Sequence, residues 1–222
     1  VAQSSRAFDR YWNNEAAWPA SAWRTAKDSP EDLARARAEI GKSVRAFADS
    51  EYALAAMQEL PDGPTADRQG QWFWGNAVMI ADQPGKAAGG DDEPQLSIDP
   101  KVKELMYGAA SELLVVTPYF VPGESDRQSL VALASRGVAI RILTNSLAST
   151  DQPAVHSAYG PVRKELLAGG VPLFELKPRP GVAQTATQDH DKGVSLHAKS
   201  FVVDGRYVFV GSMNMDLRSA LL

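Results

Sequence analysis

The 222-residue chain contains no cysteine. Disulfides and thiolate metal sites are therefore excluded, while the compartment stays open. It has no apolar run near the ~20 residues that a bilayer-spanning helix needs. An excess of positive charge is missing too: 23 Lys and Arg stand against 27 Asp and Glu, a net charge of −4, with a pI of about 5.4. That balance advertises no basic field for a nucleic-acid backbone, although a local patch remains compatible with it. Histidine is scarce, at three residues, and no ligand cluster for a metal stands out. An initiating Met is absent at Val1, and the chain stops at Leu222 soon after its most informative stretch, as expected of a fragment in which any signal peptide would be hidden.

What is present reads as a folded α/β protein. Apolar residues make up 44% and charged residues 23%, ordinary for a soluble globular chain with a real core. An aromatic-rich opening, Phe8-Asp9-Arg10-Tyr11-Trp12-Asn13 with Trp18, precedes a helical segment expected from Pro30 to about Leu60, with Leu33, Ile40, Val44 and Phe47 at helical intervals. Pro61-Asp62-Gly63-Pro64 ends it. Trp72 to Ile80 reads as a strand and 83–95 as a loop. Beyond that, strand and helix alternate. A helix at about 100–111 is followed by a buried strand from Leu113 to Phe120. Ser125 to Arg136 is a helix, Val138 to Thr144 a strand, Pro153 to Leu167 a helix, and Val171 to Leu176 a strand. A polar loop spans 177–194. Alternation of this kind predicts a mixed, mostly parallel sheet flanked by helices on both faces. The domain division expected is 1–95 and 96–222.

The most informative stretch is His197-Ala198-Lys199, then Asp204-Gly205, then Gly211-Ser212-Met213-Asn214. Asp204-Gly205 between two apolar runs is a strong two-residue hairpin signal. With that loop Val203 would face Arg206, and His197 would face Ser212. Residues two apart on a strand and residues opposite on its partner share a face, so His197, Lys199 and Ser212 would converge, with Asn214 one step beyond. An imidazole, a fixed cation and two small polar groups suit a phosphate. Asp204 lies on the other parity, roughly 15 Å along the strand at ~3.3 Å per residue. It is expected to fix the turn through its side chain and not to touch substrate.

The spacing H-x-K-x4-D-x6-G-S-x-N, met by His197, Lys199, Asp204, Gly211, Ser212 and Asn214, resembles the signature of the phospholipase D superfamily. Thr117-Pro118-Tyr119-Phe120-Val121-Pro122 and the stretch Thr144 to Asp151, followed by Val155-His156, are similar to the second half of bacterial cardiolipin synthases of the C type. Phe8 to Asn13 is similar to the segment after their first motif, so the resemblance covers nearly the whole chain. It implies that the first motif lies upstream of Val1, and that a carboxylate expected after Asn214-Met215-Asp216-Leu217-Arg218-Ser219 lies beyond Leu222.

The resemblance also implies a chemistry. One imidazole attacks phosphorus and forms a phosphohistidine, and a second serves as acid and base for the alcohols. Lys199, Ser212 and Asn214 would hold phosphate oxygens, with no cofactor and no metal. In two-motif relatives the first histidine is usually the nucleophile, which implies acid/base duty for His197. Spacing alone does not assign it. Tyr119, Asn145 and His156 are candidates for the substrate pocket, His156 being otherwise a packed or capping residue. Asp189-His190-Asp191 reads as a solvated loop in preference to a metal site. Implied partners are a phospholipid at a membrane surface, and either the first-motif half or a second copy. The implied location is the bacterial cytoplasm or the periphery of the inner membrane. The expected function is phosphatidyl transfer making cardiolipin. The alternatives are a superfamily phosphodiesterase or nuclease, against which the acidic pI weighs, and an inactive phosphate-binding fragment.

Overall fold

A computed structural model describes residues 2–23, 29–50, 53–54, 74–86, 97–177 and 195–216. The chain divides into two compact units, Val1–Met79 and Ile80–Leu222, each described by itself. The first holds α1 (Ala2–Trp12), a 3-10 turn (Ala20–Trp23) and α2 (Pro30–Ala48). α2 starts as its sequence dictates. Ser29 Oγ accepts from the Asp32 amide at 3.1 Å and the Asp32 carboxylate accepts from the Ser29 amide at 3.2 Å, a capping box with Pro30 in the first turn. Of the helix expected to reach about Leu60, α2 ends at Ala48, Ala53 and Leu54 are again helical, and 51–52 and 55–60 fall outside the described residues. Of the strand expected over Trp72–Ile80, residues 74–80 form no strand.

The second unit runs α3 (Asp99–Tyr107), β1 (Glu112–Val116), β2 (Phe120–Val121), α4 (Glu124–Ser135), β3 (Ala139–Asn145), α5 (Pro153–Ala168), β4 (Leu173–Leu176), β5 (Ser200–Val203), β6 (Tyr207–Val210) and β7 (Met215–Asp216). Its main sheet has the order β4-β3-β1-β5-β6. β1 is parallel to β3 and β3 to β4, while β5 is antiparallel to both β1 and β6. Four of the five strands therefore point one way, giving the mixed, mostly parallel sheet expected. The strand expected from Leu113 to Phe120 is broken. β1 ends at Val116, Pro118 has no N–H to donate to a ladder, and β2 pairs instead with β7.

One face of the sheet is the core. Leu113 and Val115 lie beside Ile140 and Ile142 on one side and beside Val203 and Phe201 on the other, and all six are buried. Val102 and Met106 of α3, Leu130 and Leu133 of α4, and Leu166 of α5 belong to the same cluster. β1 to β3 and β3 to β4 are parallel crossovers running the same way across the sheet, and the right-handed rule for such connections puts α4 and α5 on one face. Among the described residues helical cover is seen there, whereas Val208 and Val210 of β6 are exposed. Each buried aliphatic contributes roughly 1.5–3 kcal/mol, and a slip by one residue would turn the whole set outward.

The β5–β6 hairpin corrects the expected register. Asp204 and Gly205 both adopt positive φ, 51° and 62°, and the Arg206 amide donates to Val203 O at 3.0 Å, the two-residue turn expected of Asp-Gly. The ladder nevertheless pairs Val203 with Tyr207, not with Arg206. Arg206 is an extra residue, as in a bulge. Packing explains the shift. Phe209 sits opposite Phe201 with the rings stacked at 4.8 Å, whereas the expected register would turn Phe209 to the other face. The pairing of His197 with Ser212 is therefore not formed.

Candidate active site

β5 runs against β1, so its first residue, Ser200, lies opposite Val116, the last residue of β1. His197-Ala198-Lys199 consequently stands at the carboxyl edge of the parallel strands, the edge at which ligand sites of open α/β sheets form. The segments Thr117–Pro122 and Asn145–Asp151 emerge at the same edge.

His197 is exposed and Lys199 half-buried. The Lys199 ammonium donates to His197 O at 3.0 Å. Burial pushes its pKa down, and the carboxylates of Asp151 and Asp216 pull it back. Asp151 also accepts the Tyr119 hydroxyl through both oxygens, at 2.8 and 3.0 Å. The Tyr119 phenol is pushed up to about 12, first by burial and then by the Asp151 carboxylate. Lys199 thus sits in a cluster with Tyr119, Asp151 and Asp216. Sequence reasoning singled out Tyr119 and left both aspartates aside. Asp216 shares a parity with Asn214, and the pairing of β7 with β2 carries it to the Tyr119 segment.

Asn145 does not line an open pocket. It is 2% exposed, and its amide knits three segments together. Its Nδ2 donates to Leu196 O at 3.0 Å and to Pro118 O at 3.3 Å. Its Oδ1 accepts from the Leu196 amide at 2.9 Å and from Ser149 Oγ at 3.0 Å. Ser149 is itself buried and holds the Ser146 amide.

Ser212 is exposed in the bend after β6. Asn214 lines a small hollow with Asp99, Lys103, Asp126 and Asp216, and Lys199 lines a neighbouring one; Met106, Met213 and Met215 contribute to both. Asn214 Oδ1 is buried with no hydrogen-bond partner among the described residues. The ammonium of Lys103 is fixed between Asp99 at 2.8 Å and Asp126 at 3.1 Å. His156 packs edge-on against Tyr159 at 5.4 Å, and Tyr159 in turn meets Phe120. Asp189-His190-Asp191 lies outside the described residues.

Asp204 is remote from this edge and its role is larger than a turn former's. Its carboxylate accepts from the amides of Ala110, Ser111 and Glu112 and from Ser111 Oγ, at 2.7–3.2 Å. Those hydrogen bonds hold its pKa far below the usual carboxylate range. The motif aspartate clamps the start of β1 to the β5–β6 turn.

An H-x-K pair at the carboxyl edge, a Gly-Ser-x-Asn tail folded back by β7 and a structural aspartate at the opposite end define a phospholipase D-like domain. Residues 102–222 match the family described as "Cardiolipin synthase, PLD-like domain", and the chain belongs to that family. It is 34% identical over 97% of its length to cardiolipin synthase C of Escherichia coli (strain K12), covering 46% of that protein. It is 33% identical over 61% of its length to cardiolipin synthase A of Proteus mirabilis (strain HI4320), covering 24% of it. The chain thus spans less than half the length of these relatives. Among solved structures it is similar to a phospholipase D family member, Nuc from Salmonella typhimurium, at 21% identity and TM-score 0.41 over 57% of this chain and 70% of that one.

Proposed function

We propose that the complete protein carrying this domain transfers a phosphatidyl group from one phospholipid to a hydroxyl of another at a membrane surface, forming cardiolipin. The observation that supports this best is the position of His197 and Lys199, held at the carboxyl edge beside Tyr119 and Asp151 while the chain between Asp204 and Glu112 is clamped at the far end. The E. coli and P. mirabilis relatives are named for cardiolipin synthesis, which supports the choice of substrate.

The chemistry proceeds in two displacements. An imidazole lone pair forms an N–P bond as the P–O bond to the leaving alcohol breaks, and a second imidazolium gives its proton to the departing oxygen. The neutral imidazole then takes the proton of the incoming hydroxyl as its oxygen bonds phosphorus and the N–P bond breaks. His197 acts as this acid and base, and the nucleophile comes from another motif. Lys199 and Asn214 face the non-bridging oxygens and stabilise their charge. Of the two ends of the Asn214 amide, the nitrogen is the one that can donate to such an oxygen.

Replacing His197 with Ala in the complete protein should lower phosphatidyl transfer by about 10²–10⁴-fold, with folding nearly unchanged because the imidazole is exposed. Vesicles of phosphatidylglycerol with product identified by mass spectrometry provide the assay. Undiminished transfer in His197→Ala, or turnover of single-stranded DNA in preference to lipid, would overturn the proposal.

A further inference from the structure

We propose that Asn145 is the positioning residue for His197, its buried amide fixing the backbone of Leu196 and thereby the point at which the imidazole leaves the sheet. This inference rests on the proposed function above. β5 begins only at Ser200, so the residues just before it lack the strand partners that hold Phe201 to Val115. The hydrogen bond from the Gly211 amide to Lys199 O ties the segment on one side. On the other side Asn145 substitutes for a strand.

The substitution is complete in chemical terms. A primary amide offers two donors and two acceptor lone pairs. Asn145 spends one donor and one acceptor on Leu196, on its O and its N–H, as a neighbouring strand residue would. The second donor goes to Pro118 O and the second acceptor to Ser149 Oγ. This pattern also fixes which atom is which, since a flipped amide would set NH2 against an N–H and oxygen against two carbonyls. No other uncharged side chain of this size supplies the same four bonds. Asp lacks the donors, and Leu lacks all of them.

Three segments of the candidate site are therefore referred to one buried group. Pro118 precedes Tyr119, Leu196 precedes His197, and Asn145 opens the stretch that ends at Asp151. Because Tyr119 bonds Asp151 and Asp151 acts on Lys199, the amide sets the imidazole and the ammonium in a common frame. A displacement of about 1 Å in such a frame costs on the order of 10²-fold in rate. Asn145 touches no reacting atom; it acts through the backbone it holds.

The test compares Asn145→Ala, Ser149→Ala and His197→Ala in the complete protein, assayed on phosphatidylglycerol vesicles well below each variant's unfolding temperature. Asn145→Ala should lower kcat about 100-fold with KM nearly unchanged. Amide exchange in the peptide spanning 195–199 should quicken at least tenfold while that of 200–203 stays as in the parent. Ser149→Ala leaves both bonds to Leu196 and loosens their anchor, so kcat should fall several-fold at constant KM. A purely structural role would lower the unfolding temperature and leave kcat of the folded protein intact; that result overturns the inference. Should Asn145→Ala not fold, Ser149→Ala decides, and parental kcat there counts against it. Transfer lost in His197→Ala but intact in folded Asn145→Ala sinks this inference alone. Transfer intact in His197→Ala sinks the proposed function, and exchange at 195–199 then decides whether Asn145 holds the segment.

Discussion

The carboxylate of Asp204 receives hydrogen bonds from four donors that lie 92 to 94 positions earlier in the chain. All four favour the charged form, and the opposing effect of burial is the smallest influence on the group, so hydrogen bonding and not burial sets its pKa. The sign of the resulting pH dependence follows. A carboxylate whose folded pKa is depressed contributes stability above its unfolded value, about 3.9, and loses it as pH falls toward the folded value. Asp204→Asn keeps the shape and tolerates the positive φ of the turn, but it drops the charge and turns one acceptor into a donor facing N–H groups. The variant should unfold at lower urea than the parent at pH 7, and the two midpoints should draw together below about pH 4. A gap between midpoints that stays constant from pH 7 to pH 3 would show that the charge of Asp204 contributes nothing.

At the scale of the element, the β5–β6 hairpin explains why the motif requires glycine at 211. A Cβ there would come within 2.6 Å of the Phe209 ring, and that ring is pinned by its stack on the buried Phe201. Gly211→Ala must push the ring off its partner, an overpacking that costs about 1–3 kcal/mol. Urea unfolding should show that loss with an unchanged slope, and Phe209→Leu in the same chain should recover part of it. Equal stability of Gly211→Ala and parent would mean that the ring moves freely. Much of the hairpin was legible beforehand. Alternating apolar runs around Asp204-Gly205 named both strands and the turn, because period-two pattern and positive-φ chemistry are local properties. The register was not, since Arg206 carries no signal for an extra residue and the stacking of Phe209 on Phe201 is a packing preference. The same divide separates the strand–helix alternation from Val102 to Leu176, readable by periodicity, from the four bonds of Asn145. Its partners Pro118 and Leu196 lie 27 and 51 positions away and leave no pattern in the sequence. For Tyr119, Asp151 and Asp216 the loops were visible, but their meeting around Lys199 depends on β2 pairing with β7, two strands of two residues each.

For the whole molecule the proposed chemistry imposes a count. The attacking imidazole and the proton donor must stand on opposite sides of phosphorus, so two histidines are needed at each phosphate. These 222 residues contain three. His156 is packed against Tyr159 within α5, and no lysine follows it two residues on. His190 is followed by Lys192, yet it has no aspartate at the motif position, where His197 itself stands, and no Gly-Ser-x-Asn of its own. His197 alone carries the full six-position pattern. A monomer of this chain should therefore show no phosphatidyl transfer and no hydrolysis of a simple phosphodiester. Two copies related by a two-fold axis could share a site, each giving one His197, and the rate would then grow with the square of concentration while the chain is mostly monomeric. Turnover of phosphatidylglycerol measured across a dilution series, with the association state followed by sedimentation, separates these cases. Activity proportional to the first power of concentration in the monomeric range, and abolished in His197→Ala, would mean that a single imidazole suffices and that the two-histidine mechanism is wrong for this domain.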